Sequence, residues 1–248
     1  MRKIDFLSGF FALMSKVEWS SFYHLISSES SLSAIKLTIW SSATSALISV
    51  LLGIPLAWYL ARGNAKVTNI LRPLVLAPIV LPPTVSGMAL LALFGRNGLL
   101  GRHIFELTNW SMPFTTVAVV ITGVFVGLPF FALVVESSFR NLSSEIEDAA
   151  KNSGASNFQL LRDVAIPIAK SGIAVGAILA WARALGEFGA TMMFAGSLPG
   201  STQTWAMQVY LDMDVNQSAA YALSSVMVII AIIVVFLTRK QLRAAFLR

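Results

Sequence analysis

Apolar residues along this chain fall in runs of membrane length, with polar residues collected between them. Ser33 to Ala61, Ile70 to Phe94, Phe114 to Phe139, Ile166 to Ala190 and Ala219 to Leu237 each come close to or exceed the roughly 20 residues that a helix needs to cross hydrocarbon. The pattern therefore predicts about five transmembrane helices. A further apolar run, Phe6 to Met14, is too short to span. Arg2 and Lys3 precede it as in a signal peptide, but no small-residue cleavage site follows, which favours a retained interfacial helix. The reading divides the chain into an amino-terminal segment, residues 1–31, a transmembrane domain, residues 32–240, and a cytoplasmic tail, residues 241–248.

Several runs carry marks of irregular helix. Gly53 and Pro55 predict a kink in the first and Pro129 one in the third, while Pro78, Pro82 and Pro83 break the second. Backbone groups freed by such breaks cannot face lipid, so the second run is expected to face protein or a water-filled path. Trp40 and Trp58 stand towards the ends of the first run, where interfacial anchors belong. Gly172 and Gly176 place a small face on the fourth run, suited to close helix contact.

Composition agrees with a membrane protein. Of 248 residues, 56% are hydrophobic and 12% charged, with mean hydropathy +0.74, too apolar for one soluble core. The net charge of +6 is spread over the ends of apolar runs and forms no patch, so it does not indicate nucleic acid. Arg62, Lys66 and Arg72 crowd the loop after the first run, the loop after the third bears Lys and Arg, and Arg239, Lys240, Arg243 and Arg248 follow the last. Gly196 to Asn216 has Asp212 and Asp214 but no Lys or Arg. The positive-inside rule then puts the amino terminus outside and the carboxy terminus inside. There is no cysteine, and His24 and His103 are isolated, so neither a metal site nor a cofactor is expected. The glycines of GRNGLLGRH, in the Gly95 to Met112 loop, follow no strand, and no G-x-x-x-x-G-K-[ST] phosphate loop occurs. ATP hydrolysis has to reside on another chain, and no constellation of catalytic residues is present.

The longest water-side segment in the middle of the chain is Leu142 to Pro167, LSSEIEDAAKNSGASNFQLLRDVAIP. Ser144 with Glu147 and Ser156 with Gln159 have the spacing of capping boxes and predict two short helices. Gly154 between them is placed to end the first in a left-handed turn, and Pro167 to close the unit by disfavouring helix at Ile166. The segment resembles the EAA loop of bacterial ABC importer permeases on Asp148, Ala149, Ala150, Gly154, Val164, Ile166 and Pro167. Asp148 stands where that family usually has Glu, one methylene shorter and of the same charge. The resemblance implies an ABC importer permease fold, all-α, with short cytoplasmic coupling helices that dock on a separate ABC ATPase subunit. The residues it implies for that contact are Glu147, Asp148, Ala149, Ala150, Gly154, Ala155, Phe158 and Pro167.

Within the fourth run lies AWARALGEFGAT, in which Glu187 follows Arg183 by four residues and would share its helical face. An arginine deep in a span is costly unless it faces protein or water. Two readings stay open: a mutually neutralising pair, or a contribution of Arg183 to the electrostatics of an anion path. ARALGEFGATMMFAGSLPGSTQT, LAPIVLPPTVSGMALL and FGRNGLLG are similar to the corresponding stretches of molybdate-type oxyanion permeases, a group that shares much of its pattern with sulfate and tungstate permeases. That resemblance implies a bacterial inner-membrane homodimer importing an oxyanion handed over by an extracytoplasmic solute-binding protein. Pro82, Pro83, Arg183, Glu187 and Thr191 are the residues expected on the path. The rival is an ion-coupled secondary carrier using Arg183 and Glu187, against which the capped central segment speaks, since a carrier needs no ATPase socket. A membrane-embedded enzyme is a third reading, and it lacks catalytic residues.

Overall fold

The computed structural model describes residues 5–246, and among them every regular element is helical. Arg2, Lys3 and Arg248, counted above as flanking charges, lie outside the described residues. The apolar run near the amino terminus is α1 (Asp5–Ser15), followed by the short α2 (Phe22–Ile26). The first spanning run is α3 (Glu29–Arg62), 34 residues. At about 1.5 Å per residue it exceeds the roughly 30 Å hydrocarbon layer, so its ends reach the polar zones.

The second run is two helices, α4 (Ala65–Val80) and α5 (Pro83–Phe94), with Leu81 extended between them at φ −65°, ψ 136°. The paired prolines explain the break: Pro83 excludes helix at Pro82, yet is itself acceptable in a first helical turn. The Gly95 to Met112 stretch contains α6 (Gly101–Thr108), ended by Asn109 in the left-handed region. The third run is α7 (Thr116–Arg140). The central segment gives α8 (Ser144–Asn152) and α9 (Asn157–Gln159), then a π-helical turn over Leu160–Ala165 that leads into α10 (Ile166–Leu185). The remaining helices are α11 (Gly189–Ala195), α12 (Trp205–Val215) and α13 (Gln217–Phe246). By length and composition Glu29–Arg62, Thr116–Arg140, Asn157–Leu185 and Gln217–Phe236 can each cross a membrane, while Pro83–Phe94 is apolar but shorter.

One expectation about an irregular region changes here. The stretch from Gly196 to Asn216 is not a simple loop, because α12 buries Trp205, Met207 and Gln208. Its first turn is anchored on α3, where the Thr38 hydroxyl accepts from the Trp205 N–H at 2.7 Å. Trp58, expected as an interfacial anchor, is half-buried and meets the ring of Phe139 edge-on at 5.3 Å.

The chain divides into two compact units, and the division falls within helices and not between domains consecutive in sequence. One unit holds the chain up to Ser41 with Pro83–Thr122 and Leu185–Phe236. In it α5 lies against α11, and Leu90, Phe194, Trp205 and Leu223 are fully enclosed. The other holds Ser42–Pro82, Gly123–Ala184 and the chain from Leu237 on. Its core sets Phe131, Val135 and Phe139 of α7 against Ala57 of α3 and Ala165, Ala169 and Ala180 of the α10 segment. Large side chains from one helix thus fill the space beside alanines on its neighbours, which allows close packing.

The small face of α10 belongs to this contact. A side chain at Gly176 would begin 3.1 Å from both the Phe131 ring and Val135 Cγ2. Gly176→Leu should therefore overpack the contact between α7 and α10 and cost about 1–3 kcal/mol. Thermal unfolding of the detergent-solubilised chain tests this, and an unchanged midpoint would mean that the two helices do not meet there.

Candidate functional site

In the central segment the second half of the sequence reading holds and the first is corrected. The Ser156 hydroxyl accepts from the Gln159 N–H at 3.3 Å, and Gln159 Oε1 accepts in return from the Ser156 N–H at 2.8 Å. Gly154 has φ +84°. The Ala155 N–H donates to the Ala150 carbonyl at 3.1 Å and the Gly154 N–H to that of Lys151 at 2.9 Å. This is the Schellman pattern, in which a left-handed residue lets the chain double back on the last helical carbonyls. The α8 start differs, since the cap is Ser143, without a side-chain cap hydrogen bond, and Ser144 is already helical. Glu147 cannot serve a capping box because its carboxylate is engaged elsewhere.

That engagement is with Arg62, the last residue of α3. Arg62 Nε donates to Glu147 Oε1 at 2.6 Å, and Glu147 is buried. Arg62 Nη2 also donates to the carbonyls of Phe139 at 2.9 Å and Leu142 at 3.2 Å, at and just beyond the end of α7. One guanidinium thus ties together α3, α7 and α8. A second cluster joins α3, α4 and α7. Glu136 of α7, also buried, accepts from Arg72 Nη2 of α4 at 2.7 Å and from Arg140 Nε at 2.8 Å. Both arginines donate as well to the Leu60 carbonyl near the end of α3, at 3.1 and 3.2 Å. Carbonyls in the last turn of a helix have no partner within it, and cations complement the negative end of the helix dipole.

The sequence reading counted Arg62 and Arg72 only as topological charges and passed over Glu136. A signal for it was present: Glu136 and Arg140 stand four apart at the end of an otherwise apolar run, the spacing of a helical ion pair.

Between the end of α3 and the α8–α9 segment lies a cavity of about 330 Å³, bordered by Trp58, Tyr59, Arg62, Glu147, Lys151 and Asn157. The residues expected to face an ATPase divide by burial. Asp148, Ala149, Gly154 and Phe158 are exposed, Ala150 and Ala155 half-buried, and Glu147 faces inward. Pro167 does not close the unit. Ile166 is helical at φ −61°, ψ −49°, and its N–H donates to the Leu161 carbonyl in the wider π pattern. A helix-interior proline loses one hydrogen bond and crowds the preceding turn, and the expanded turn directly before Pro167 makes room for its ring.

The residues expected on a path fall in both units, with Pro82 and Arg183 in one and Pro83, Glu187 and Thr191 in the other. Arg183 and Glu187 do not share a helical face, because α10 ends at Leu185. Arg183 stands in the last turn of α10, where a cation suits the helix dipole. Glu187 is buried, and its Oε1 accepts from the Ala190 N–H at 2.8 Å in the first turn of α11. Thr191 is buried on the same short helix. Among the described residues no group of His, Asp and Glu is arranged to hold a metal ion.

The Glu136 cluster predicts unequal losses. Arg72→Ala removes more hydrogen bonds to Glu136 than Arg140→Ala, whose side chain is half exposed. Exposure and screening discount both, so we expect about 1–3 kcal/mol for Arg72→Ala and under about 1 kcal/mol for Arg140→Ala. Thermal midpoints at matched detergent and salt decide this, and the reverse order would remove Arg72 from the centre of the cluster.

Residues 49–245 match the family described as the inner membrane component of binding-protein-dependent transport systems. The chain is 42% identical over 224 residues to the molybdenum transport system permease protein ModB of Mycobacterium bovis, covering 90% of this chain and 84% of that one. It is 32% identical to the protein of the same name from Azotobacter vinelandii, covering 84% of this chain and 93% of the other. In three dimensions it resembles a bacterial ABC transporter involved in the import of the acidic polysaccharide alginate, with TM-score 0.73, 14% identity, and coverage of 99% and 91%, a likeness of fold alone. The chain belongs to the family of inner membrane components of binding-protein-dependent transport systems.

Proposed function

We propose that this chain is the channel-forming subunit of an ATP-driven importer for molybdate or a related tetrahedral oxyanion. Two copies enclose the path, each docks on an ABC ATPase through the segment from Ser144 to Gln159, and an external binding protein delivers the anion. The observation that carries the reading is this exposed segment, with its left-handed turn at Gly154 and its capping box at Ser156, in a chain whose relatives are named as molybdenum permeases. Asp148, Ala149 and Phe158 offer an outward surface of one acid and two apolar groups, and the Gly154 turn sets the angle between the two short helices. The chain itself is no enzyme, and hydrolysis belongs to the partner.

For the path we propose Pro82, Pro83, Arg183 and Thr191, with Glu187 acting there as the cap of α11. Arg183 brings a positive charge to the last turn of α10, which suits the passage of an anion. An ion-coupled carrier built on Arg183 and Glu187 has lost its support. The two residues do not share a helix, and the family is one of binding-protein-dependent systems. The Lys and Arg record supports an amino terminus outside and a carboxy terminus inside.

Reconstitution of the chain with its ATPase and binding protein tests the function. Molybdate is expected to stimulate hydrolysis and to accumulate in the vesicles, with sulfate and tungstate as comparison arms. No stimulation by any tetrahedral oxyanion would end the proposal. Orientation is read separately, because the native chain has no cysteine. Ser201→Cys should react with an impermeant thiol reagent added outside intact cells, and Ser156→Cys should react only after the membrane is opened; the opposite pattern would reverse the topology.

A further inference from the structure

The contacts of Glu147 and Arg62 set these residues apart from the outward-facing ones beside them. In the first turn of α8, Glu147 turns inward while Asp148, the next residue, is exposed. Its carboxylate meets a guanidinium that is already shared, since Arg62 also holds the Phe139 and Leu142 carbonyls. On the far side of α8 the chain turns at Gly154, where even an added side chain would meet nothing within 4 Å. The covalent route from α8 onward therefore passes through an uncrowded glycine, and the route back reaches α7 through residues 141–143, whereas the ionic route ties α8 directly to the end of α3 and braces the junction with α7.

We propose that Arg62 and Glu147 are positioning residues that carry displacement of α8 into α3 and α7, and that Glu147 serves this link and not the contact with the ATPase. Any shift of α8 away from the membrane pulls on the Arg62 guanidinium. Because its donors are shared between a carboxylate of α8 and carbonyls at the end of α7, α3 and α7 move with it or the bonds break. Breaking them strands a buried carboxylate without its cation, which is costly. The link also explains a choice of residue: Arg has a planar fork that can serve a carboxylate and two carbonyls at once, while the single ammonium of Lys cannot hold that geometry.

The inference rests on the reading of α8 as the ATPase-facing helix, and the experiment separates the two. The complete transporter is reconstituted in liposomes, and ATPase association and the number of ATP hydrolysed per oxyanion imported are measured independently. In Arg62→Gln and Glu147→Gln the ATPase should remain bound while ATP used per anion rises about tenfold, the scale of a lost coupling free energy of an ordinary allosteric link. Arg62→Lys should fall between these and the parent chain. The double variant Arg62→Met/Glu147→Met strands no charge and guards against misfolding; it should assemble and be as uncoupled as the single variants. Arg62→Cys/Glu147→Cys in this cysteine-free chain should recover coupling when a short bifunctional thiol reagent joins the two positions.

Wild-type coupling in the double Met variant, or loss of the ATPase from Glu147→Gln but not from Arg62→Gln, would overturn the proposal. A cross-linked pair that stays uncoupled would do the same. Failure of the parent chain to bind the ATPase would instead overturn the reading of α8 on which the proposal depends.

Discussion

Buried carbonyls at the ends of two long helices constrain the rest of this unit. The last turns of α3 and α7 come together with the carbonyls of Leu60 and Phe139, and just beyond them that of Leu142, turned into protein. No backbone donor within either helix can reach the end of its own last turn. Arg62, Arg72 and Arg140 supply donors, beside the Leu142 N–H that also reaches the Phe139 carbonyl, and Glu136 and Glu147 offset the charge they bring. The positive-inside distribution has a local cause here as well as a topological one. Two of the three arginines sit beyond or at the end of spans because helix ends need donors there, and each is held by a carboxylate that the apolar surroundings make specific.

The path by which the central segment joins α10 is set by a second constraint. A proline would ordinarily divide α9 from α10, and the sequence predicts that break at Ile166. The chain instead widens by a π turn over Leu160–Ala165 and continues helical to Leu185. The π turn costs hydrogen-bond quality but keeps Ala165 and Ala169 in the core against α7, and that packing outweighs the local preference of the proline. Local propensity lost here to burial that only the folded neighbours reveal.

What was legible in the sequence was what local geometry decides. Four of the five expected spans follow from apolar length, while the second run breaks into two shorter helices at its prolines; the left-handed turn follows from Gly154, the cap from Ser156 and Gln159, and the close contact of α10 from Gly172 and Gly176. What was not legible depended on partners far along the chain. Ser144 and Glu147 have the spacing of a capping box, but Arg62, 85 residues away, takes the carboxylate first. Arg183 and Glu187 have the spacing of a helical pair, but the helix stops between them at Leu185 and the carboxylate caps α11. A spacing rule states what two residues can do if the helix continues and nothing stronger competes. In both cases one of those conditions failed. The Glu136 cluster was missed for a different reason: an acid in an apolar run is readily treated as an exception to hydropathy, when its burial should prompt a search for its cations.

These constraints together leave the water-side segment held in two unequal ways. The α9 end is continuous with α10 through the π turn, so it moves as part of a span. The α8 end is separated from α9 by a Schellman turn whose glycine has no close neighbours, and so has no rigid covalent connection to α10. Two helices presented to one partner need a fixed mutual angle, or the partner's motion would be absorbed at the junction between them. Backbone hydrogen bonds from Gly154 and Ala155 to α8 limit that angle but are exposed to water, where each contributes only modestly. The carboxylate of Glu147 in the grip of Arg62 is buried, charge-assisted and anchored to two long helices, which makes it a stiffer restraint on α8 than the turn at Gly154.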